Sequence, residues 1–318
     1  MEKAREQIHH LIIDWGTTNF RAFAMSDTDQ LIETKEAPMG LLQVPNNEFA
    51  TALEALLNDW LDDYKSLPIY MAGMVGSMKG WVNVDYAHAP VSAPDLVAKA
   101  HVFALPWGPQ AVIIPGVCYG YRDLLDSRAA EKSSLDIAEV DKYDVMRGEE
   151  VQILGLAAQH SQTELTAVLP GTHSKHAHVV DGKLTQFSSY LTGELFDLLT
   201  KHSLLGKGLP SDASSDNEAF IKGVDDGQSG EFSNRIFLAW TQRLFNSLNE
   251  AQIPDYLSGM LIGMELKKLP QKHIYIVGGK GLSLRYQLAA EHLGKTTTLV
   301  AGNDCFLAGM AILIKSIK

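Results

Sequence analysis

The stretch LIIDWGTTNFRAFAM (11–25) decides the fold: an apolar strand runs into a Gly-Thr turn and leaves it on a second strand. AVLPGTHSKHAHVV (167–180) repeats that device 155 residues later, counted from Gly16 to Gly171. A turn and a third strand-like run follow each copy, TDQLIETKE after Asp27 and KLTQFSSY after Asp181-Gly182. Strand-like and helix-like periods alternate along the rest of the chain, which is the signature of an α/β protein built from two similar halves.

In the first copy, Gly16 permits a tight turn and frees the N–H groups of Thr17, Thr18 and Asn19 to point at phosphate oxygens. The hydroxyls of Thr17 and Thr18 add donors, and Asp14 at the strand end suits a Mg²⁺ ion held through water. Taken alone, DWGTTN reads equally as a β-turn. In the second copy Gly171 takes the turn position, Thr172 and Ser174 supply hydroxyls, Lys175 supplies a cation, and His173 either orients a phosphate or caps the turn. Two such loops in one chain suit a clamp on a nucleotide triphosphate better than a single turn does. Gly278-Gly279 ends the strand-like run HIYIVGG (273–279), where a flat ring such as adenine fits against bare backbone; an ordinary strand-to-helix turn is the plain alternative.

Bulk properties narrow the partners. The chain has 318 residues, 46% of them hydrophobic and 20% charged, enough for about two domains with cores of their own. Its net charge of −11 argues against nucleic acid or an anionic membrane as partner, because no basic stripe offers counterion release. Cys118 and Cys305 lack metal-ligand spacing, which leaves neither a disulfide scaffold nor a zinc site. The polar start MEKAREQIHH carries no apolar signal core, and a cytoplasmic address is expected.

Periodicity places helices at 47–64, from about Gly148, and at 193–201, 232–249, 255–268, 283–293 and 303–315. Strands are expected at 67–72, 111–115, 165–169 and in HIYIVGG, with a domain boundary near residue 160 (1–160 and 161–318). SDASSDNEAFIKGVDDGQSG (211–230) is rich in Ser, Asp and Gly and reads as a mobile loop. Gly259 and Gly263 suit close helix packing, either within the chain or in a homodimer.

IDWGTTNFRA (13–22), AGMVGS..GW (72–81), DVMRGEEVQILG (144–155), LPGTHSK (169–175), TGELFDLL (192–199) and YLSGMLIGMEL (256–266) together resemble the 2-dehydro-3-deoxygalactonokinase family of the actin, sugar kinase and Hsp70 ATPase superfamily. The likeness runs from about Ile8 to about Ile312. It implies two ribonuclease H-like, actin-like ATPase domains facing each other across a nucleotide cleft, ATP and Mg²⁺ as cofactors, and phosphoryl transfer to the terminal hydroxyl of a 2-keto-3-deoxy sugar acid. Phosphoryl transfer asks for positioning, charge neutralisation and a carboxylate that orients the attacking hydroxyl.

Glu149 and Glu150 are the candidates for that carboxylate. GEEVQILG is also similar to the GxEEA stretch of exopolyphosphatases, in which the first Glu is the base, so the role is carried to Glu149 with Glu150 in reserve. The plain alternative is that acidic residues at a helix start favour its dipole. Arg21, Ser77, Trp81 and Glu194 are expected around the sugar acid: Arg for carboxylate, Ser and Glu for hydroxyls, Trp as an apolar wall. Family members commonly carry Arg-Gln where this chain has Met78-Lys79; if that Arg binds the substrate carboxylate, Lys79 substitutes a point charge for a fork. An exopolyphosphatase-like phosphohydrolase on the same fold is the alternative activity, and a nucleotide switch without catalysis is a further one.

Overall fold

A computed structural model of the chain describes residues 7–120, 143–210 and 215–317. The first part runs β1 (His10–Trp15), β2 (Phe20–Met25), β3 (Leu31–Ala37), α1 (Phe49–Trp60), β4 (Ile69–Ala72), β5 (Ala87–His88), α2 (Ala93–Val97), β6 (His101–Ala104), β7 (Gln110–Ile113), β8 (Val117–Tyr119), β9 (Asp144–Met146) and α3 (Glu149–Gln159). There follow β10 (Glu164–Leu169), β11 (Ser174–Val180), β12 (Lys183–Tyr190), α4 (Thr192–His202), α5 (Asn217–Asp226), α6 (Phe232–Leu244), α7 (Ile253–Leu266), β13 (His273–Gly278), α8 (Lys280–His292), β14 (Thr296–Ala301) and α9 (Gly302–Ile317).

The two copies of the strand-turn-strand device build the same piece of sheet. A six-stranded sheet has the order β3-β2-β1-β4-β7-β6, and a five-stranded one the order β12-β11-β10-β13-β14. In each, the strand before the Gly-Thr turn lies between its hairpin partner and the strand that follows a helical crossover, β4 beside β1 and β13 beside β10, both parallel. A parallel neighbour covered by helices demands a strand that is apolar throughout. Leu11, Ile12, Ile13 and Trp15 of β1 are accordingly buried, as are Leu165, Ala167, Val168 and Leu169 of β10. A small third sheet has the order β5-β8-β9. The fold is mixed α/β.

By internal packing the chain divides into two compact units, residues 1–164 with 179–187 and 303–318, and residues 165–178 with 188–302. The division differs from a simple boundary near residue 160, because α9 belongs with the first unit. The reason is a close helix contact: a Cβ added at Gly155 of α3 would lie 1.8 Å from the Cys305 carbonyl oxygen, and one at Gly309 would lie 2.0 Å from that of Val151. In the first unit α1 lays Phe49, Leu53 and Leu57 against Trp15, Phe20, Ile69 and Ile113. The second unit packs Phe220, Val224, Ile262 and Tyr286 over Val168, Ile274 and Ile276.

The expected loop at 211–230 is corrected for most of its length. Residues 211–214 lie outside the described residues, but Asn217–Asp226 is helix α5, its N-terminus capped by the Asp216 carboxylate, which accepts from Ala219 N at 2.9 Å. The Ser, Asp and Gly content hides Phe220 and Val224, one helical turn apart and fully buried. The expected helix at 232–249 stops at Leu244, and Asn246 has φ 56°. β6 and β14, both half-exposed edge strands, fell outside the sequence expectations. No described helix is long and apolar enough to cross a membrane.

The glycines of α7 are used inside the chain, where α5 crosses them. A Cβ on Gly259 would sit 1.9 Å from the Phe220 carbonyl oxygen, an approach only a bare backbone allows. Gly259→Ala should therefore lower the midpoint of chemical unfolding, by about 3 kcal/mol of stability, the usual scale for overpacking a tight core; an unchanged midpoint would show that the two helices separate at little cost.

Candidate functional site

In the first unit the exposed turn Thr17-Thr18-Asn19 is held by its carbonyls. The Asn19 oxygen accepts from Gly16 N, the Thr18 oxygen from Gly40 N and the Gly16 oxygen from Leu41 N, at 2.9 to 3.2 Å. The N–H groups of residues 17, 18 and 19 make no backbone hydrogen bond among the described residues, as a phosphate loop requires.

Asp14, on the last turn of β1, stands directly opposite Arg21 in the hairpin register. The two form an ion pair, and Arg21 Nη1 also donates to Asn303 Oδ1 at 2.5 Å. Arg21, expected at a substrate carboxylate, is thus engaged by Asp14 and Asn303. Burial raises the Asp14 carboxyl above its ordinary value, against the pull of Arg21. Two chain segments close around this carboxylate. A Cβ at Gly73 (φ 96°) would lie 3.2 Å from Asp14 Oδ1, and one at Gly148 (φ 108°) would lie 3.3 Å from Gly73 Cα. Both conformations belong to glycine, and both glycines let backbone pass where a side chain would block it.

Gly148 starts α3, and its two acids part company there. Glu150 is fully buried, and both its oxygens accept from Gly148 N at 2.9 and 2.7 Å. Burial, then repulsion from Glu149, pushes its carboxyl from near 4.5 up to about 8, so it is largely neutral at pH 7. Glu149 is half-buried, with Oε2 accepting from Arg147 N at 3.1 Å. A general base must be reachable, and of the two acids only Glu149 keeps part of its surface accessible.

The remaining first-unit candidates differ in setting. Ser77 lies on the turn after Gly73 and Gly76, and its Oγ is buried with no hydrogen-bond partner. Lys79 is exposed. Trp81 is half-buried among Trp15, Phe49 and Phe103, its ring 13° from parallel to that of Phe49, so it packs the core of the unit.

In the second unit Gly171, Thr172 and His173 form the outer part of the turn. Glu194 lies in this second unit, where its backbone N donates to the Thr172 oxygen at 2.9 Å and its carboxylate pairs with His173 Nε2 at 2.5 Å. Ser174, expected to offer its hydroxyl to phosphate, instead points inward: it is fully buried and donates to Glu265 Oε1 at 2.6 Å. Lys175 is also buried, its Nζ donating to the His173 oxygen at 3.3 Å. Glu265 further receives His176 Nε2 at 2.8 Å, Tyr286 OH at 2.7 Å and the Thr192 hydroxyl. Burial raises this carboxyl, but the hydrogen bonds from His176, Ser174 and Thr192 outweigh it and leave it below its ordinary value. The turn is thereby anchored from beneath. Glu265 escaped sequence reasoning, although a lone acid on an otherwise apolar helical face, GMLIGMEL, is a signal of buried pairing.

Gly278 ends β13 beside Pro170, and added Cβ atoms at Gly279 and Gly281 would meet nothing within 4 Å. Ser283 Oγ, 3.3 Å from where a Gly278 Cβ would stand, is buried without a partner. Open backbone with an unmet hydroxyl fits a planar ligand such as adenine. The described residues contain no cluster of His, Cys, Asp or Glu able to cage a metal, so a Mg²⁺ ion here would take Asp14 alone, through water. Cys118 and Cys305 are both buried and neither is in a disulfide.

The chain is 31% identical over 307 residues to the 2-dehydro-3-deoxygalactonokinase of Escherichia coli (strain K12), covering 95% of this chain and 96% of that protein. It is 26% identical to a protein of Rhizobium meliloti (strain 1021) named as a probable 2-dehydro-3-deoxygalactonokinase, over 97% of each chain. A crystal structure from Sinorhizobium meliloti, of a candidate 2-dehydro-3-deoxygalactonokinase, superposes with a TM-score of 0.84 at 26% identity, covering 97% of both chains. Such a fold and such relatives define a carbohydrate kinase by class. The chain belongs to the 2-keto-3-deoxy-galactonokinase family, whose model matches residues 14–313.

The buried acid at the helix start makes a prediction for pH. Because folding raises the Glu150 pKa, its neutral form favours the folded state fully below about 4.5, and that contribution is lost as pH rises through about 8. Glu150→Gln keeps an acceptor for Gly148 N and should remove this part of the slope, worth at most about 5 kcal/mol. Urea unfolding at pH 5 and pH 8.5 measures it; identical slopes in the wild type and the variant would mean that Glu150 is ionised in the folded chain.

Proposed function

We propose that the protein transfers the γ-phosphoryl of ATP to the 6-hydroxyl of 2-dehydro-3-deoxy-D-galactonate, giving the 6-phosphate and ADP, in cytoplasmic D-galactonate breakdown. The observation that carries this reading is the convergence of Asp14, Gly73 and Gly148 at the start of α3, which sets a reachable Glu149 near the end of the strand that feeds the first Gly-Thr turn. Membership of the family, and the name of the Escherichia coli relative, support the choice of acid.

In this reading each of the two units is an actin-like ATPase domain that carries one Gly-Thr turn suited to phosphate. The N–H groups of Thr17, Thr18 and Asn19 and the turn Gly171-Thr172-His173 hold phosphate oxygens. Ser174 acts from beneath through Glu265, and Lys175 adds positive charge behind the second turn. Gly278 and Gly279 leave room for the adenine ring. Mg²⁺, when bound through water to Asp14, supplies neutralisation of the phosphate charge. Glu149 accepts the proton of the attacking hydroxyl, while Glu150, held on Gly148 N, fixes the start of the helix. Glu194 pairs with His173 and so tunes the second turn.

The decisive measurement incubates the purified protein with ATP, Mg²⁺ and a panel of sugar acids. ADP release that depends on the 2-keto-3-deoxy acid is expected; phosphate release without any acid would instead indicate a phosphohydrolase, and no turnover with any acid would end the proposal. Glu149→Gln should lower kcat by about 100-fold to 10,000-fold with ATP still bound, the range for loss of a positioned base. Unchanged kcat in that variant would take Glu149 out of the mechanism. Lys175→Ala should raise KM for ATP more than KM for the acid; the reverse pattern would mean that the second turn faces the sugar.

A further inference from the structure

Arg147 stands in the MRGEE stretch immediately before the glycine and the two acids of the site, and none of the roles assigned above uses it. It is 8% exposed, yet its Nε and Nη1 atoms have no hydrogen-bond partner; only Nη2 is engaged, donating to the Val84 carbonyl oxygen at 2.8 Å. Its guanidinium lies over the Tyr86 ring, with Cζ 4.4 Å from the centroid. No carboxylate among the described residues forms an ion pair with it. A buried cation in such a setting is costly unless something anionic completes it.

The second unmet group lies on the residue after the glycine that faces Arg147. A Cβ built at Gly76 would fall 2.9 Å from Arg147 Nη1, and Ser77, the following residue, has a buried Oγ with no partner. The two segments that carry these groups, 73–77 and 147–150, are the ones that meet at Gly73 and Gly148 beside Asp14. Two hydrogen-bond donors of different chemistry are thus left unmet at one edge of the site that holds Glu149. Of the other cations considered for the acid, Arg21 is occupied by Asp14 and Asn303, and Lys79 is an exposed point charge.

We propose that Arg147, with the Ser77 hydroxyl, is the subsite for the carboxylate of the substrate, and that it selects acids over neutral sugars. The proposal rests on the kinase reading above and adds to it the group that recognises the acid end. Arginine suits the task because its planar guanidinium stays charged and offers several N–H bonds in one plane to a carboxylate. Glu150 feels the charge of Arg147, but its oxygens accept from Gly148 N and form no hydrogen bond with the guanidinium. Both donors are closed off by neighbouring atoms, so the carboxylate reaches them as the turn at Ser77–Gly80, with Met78 86% exposed at its tip, gives way.

The test compares two substrates in steady-state ADP release: the 2-keto-3-deoxy sugar acid, and the 3-deoxyhexulose that has a hydroxymethyl group in place of the carboxylate. The wild type should favour the acid through KM. Arg147→Lys should raise KM for the acid by about 100-fold, on the scale expected when a fork is replaced by a point charge at a site built for hydrogen bonding. KM for ATP and KM for the neutral sugar should not move. Should Arg147→Lys fail to fold by circular dichroism, Ser77→Ala carries the test, with a rise of about 10-fold for the acid alone, the scale of one lost hydrogen bond to a charged group. A folded variant with unchanged KM for the acid, or with equal losses for acid and neutral sugar, overturns the subsite and leaves the kinase reading standing. A wild type that phosphorylates no acid overturns both.

Discussion

Two backbones pass each other at Gly73 and Gly148 at a distance that no side chain would permit, and the arrangement of the first unit's site follows from that contact. It fixes where α3 begins relative to Asp14, and hence where Glu149 stands. The carboxylate of the next residue lies in the interior, where backbone N–H groups, that of Gly148 among them, are its donors. The chain resolves the conflict by leaving Glu150 largely protonated at neutral pH. Adjacent acids at one helix start thus meet different surroundings, Glu150 fully buried and Glu149 half-buried.

The second unit solves a similar problem with a different balance. Its turn is supported by Glu265, which is buried but receives hydrogen bonds from Ser174, His176, Thr192 and Tyr286, and those donors keep it ionised. One carboxylate therefore ties the turn to the starts of β11 and α4, to α7 and to α8. In the first unit, the pair Asp14–Arg21 does the corresponding job across a hairpin, with Asn303 of α9 joining in. Each turn can stay exposed and short of internal hydrogen bonds because what lies beneath it is rigid.

Several side chains that look functional in isolation turn out to be spoken for. Trp81 stacks in the core, Arg21 neutralises Asp14, and the Ser174 hydroxyl faces away from the turn surface. Arg147 shows the opposite pattern, a buried charge with bonds left unmet. In a well-packed interior, polar groups without partners are rare. Their position beside the site, rather than their type, gives them meaning.

The sequence by itself determined the duplicated strand-turn-strand device, the parallel strands beside it, most helices and the place of the acidic pair, because these depend on local period, glycine and chain order. The first strand of each copy is mostly apolar and buried, as a strand between two neighbours must be. Helix α5 was hidden because composition outweighed period in a stretch rich in Ser and Asp, and its stability comes from glycines on α7 that lie more than thirty residues away. Only the tertiary structure decided that α9 packs on α3, that Glu149 and Glu150 differ, and which cations are already paired. Burial, and the partners a side chain meets across the fold, are properties of distance in space, and a single sequence carries no measure of that distance.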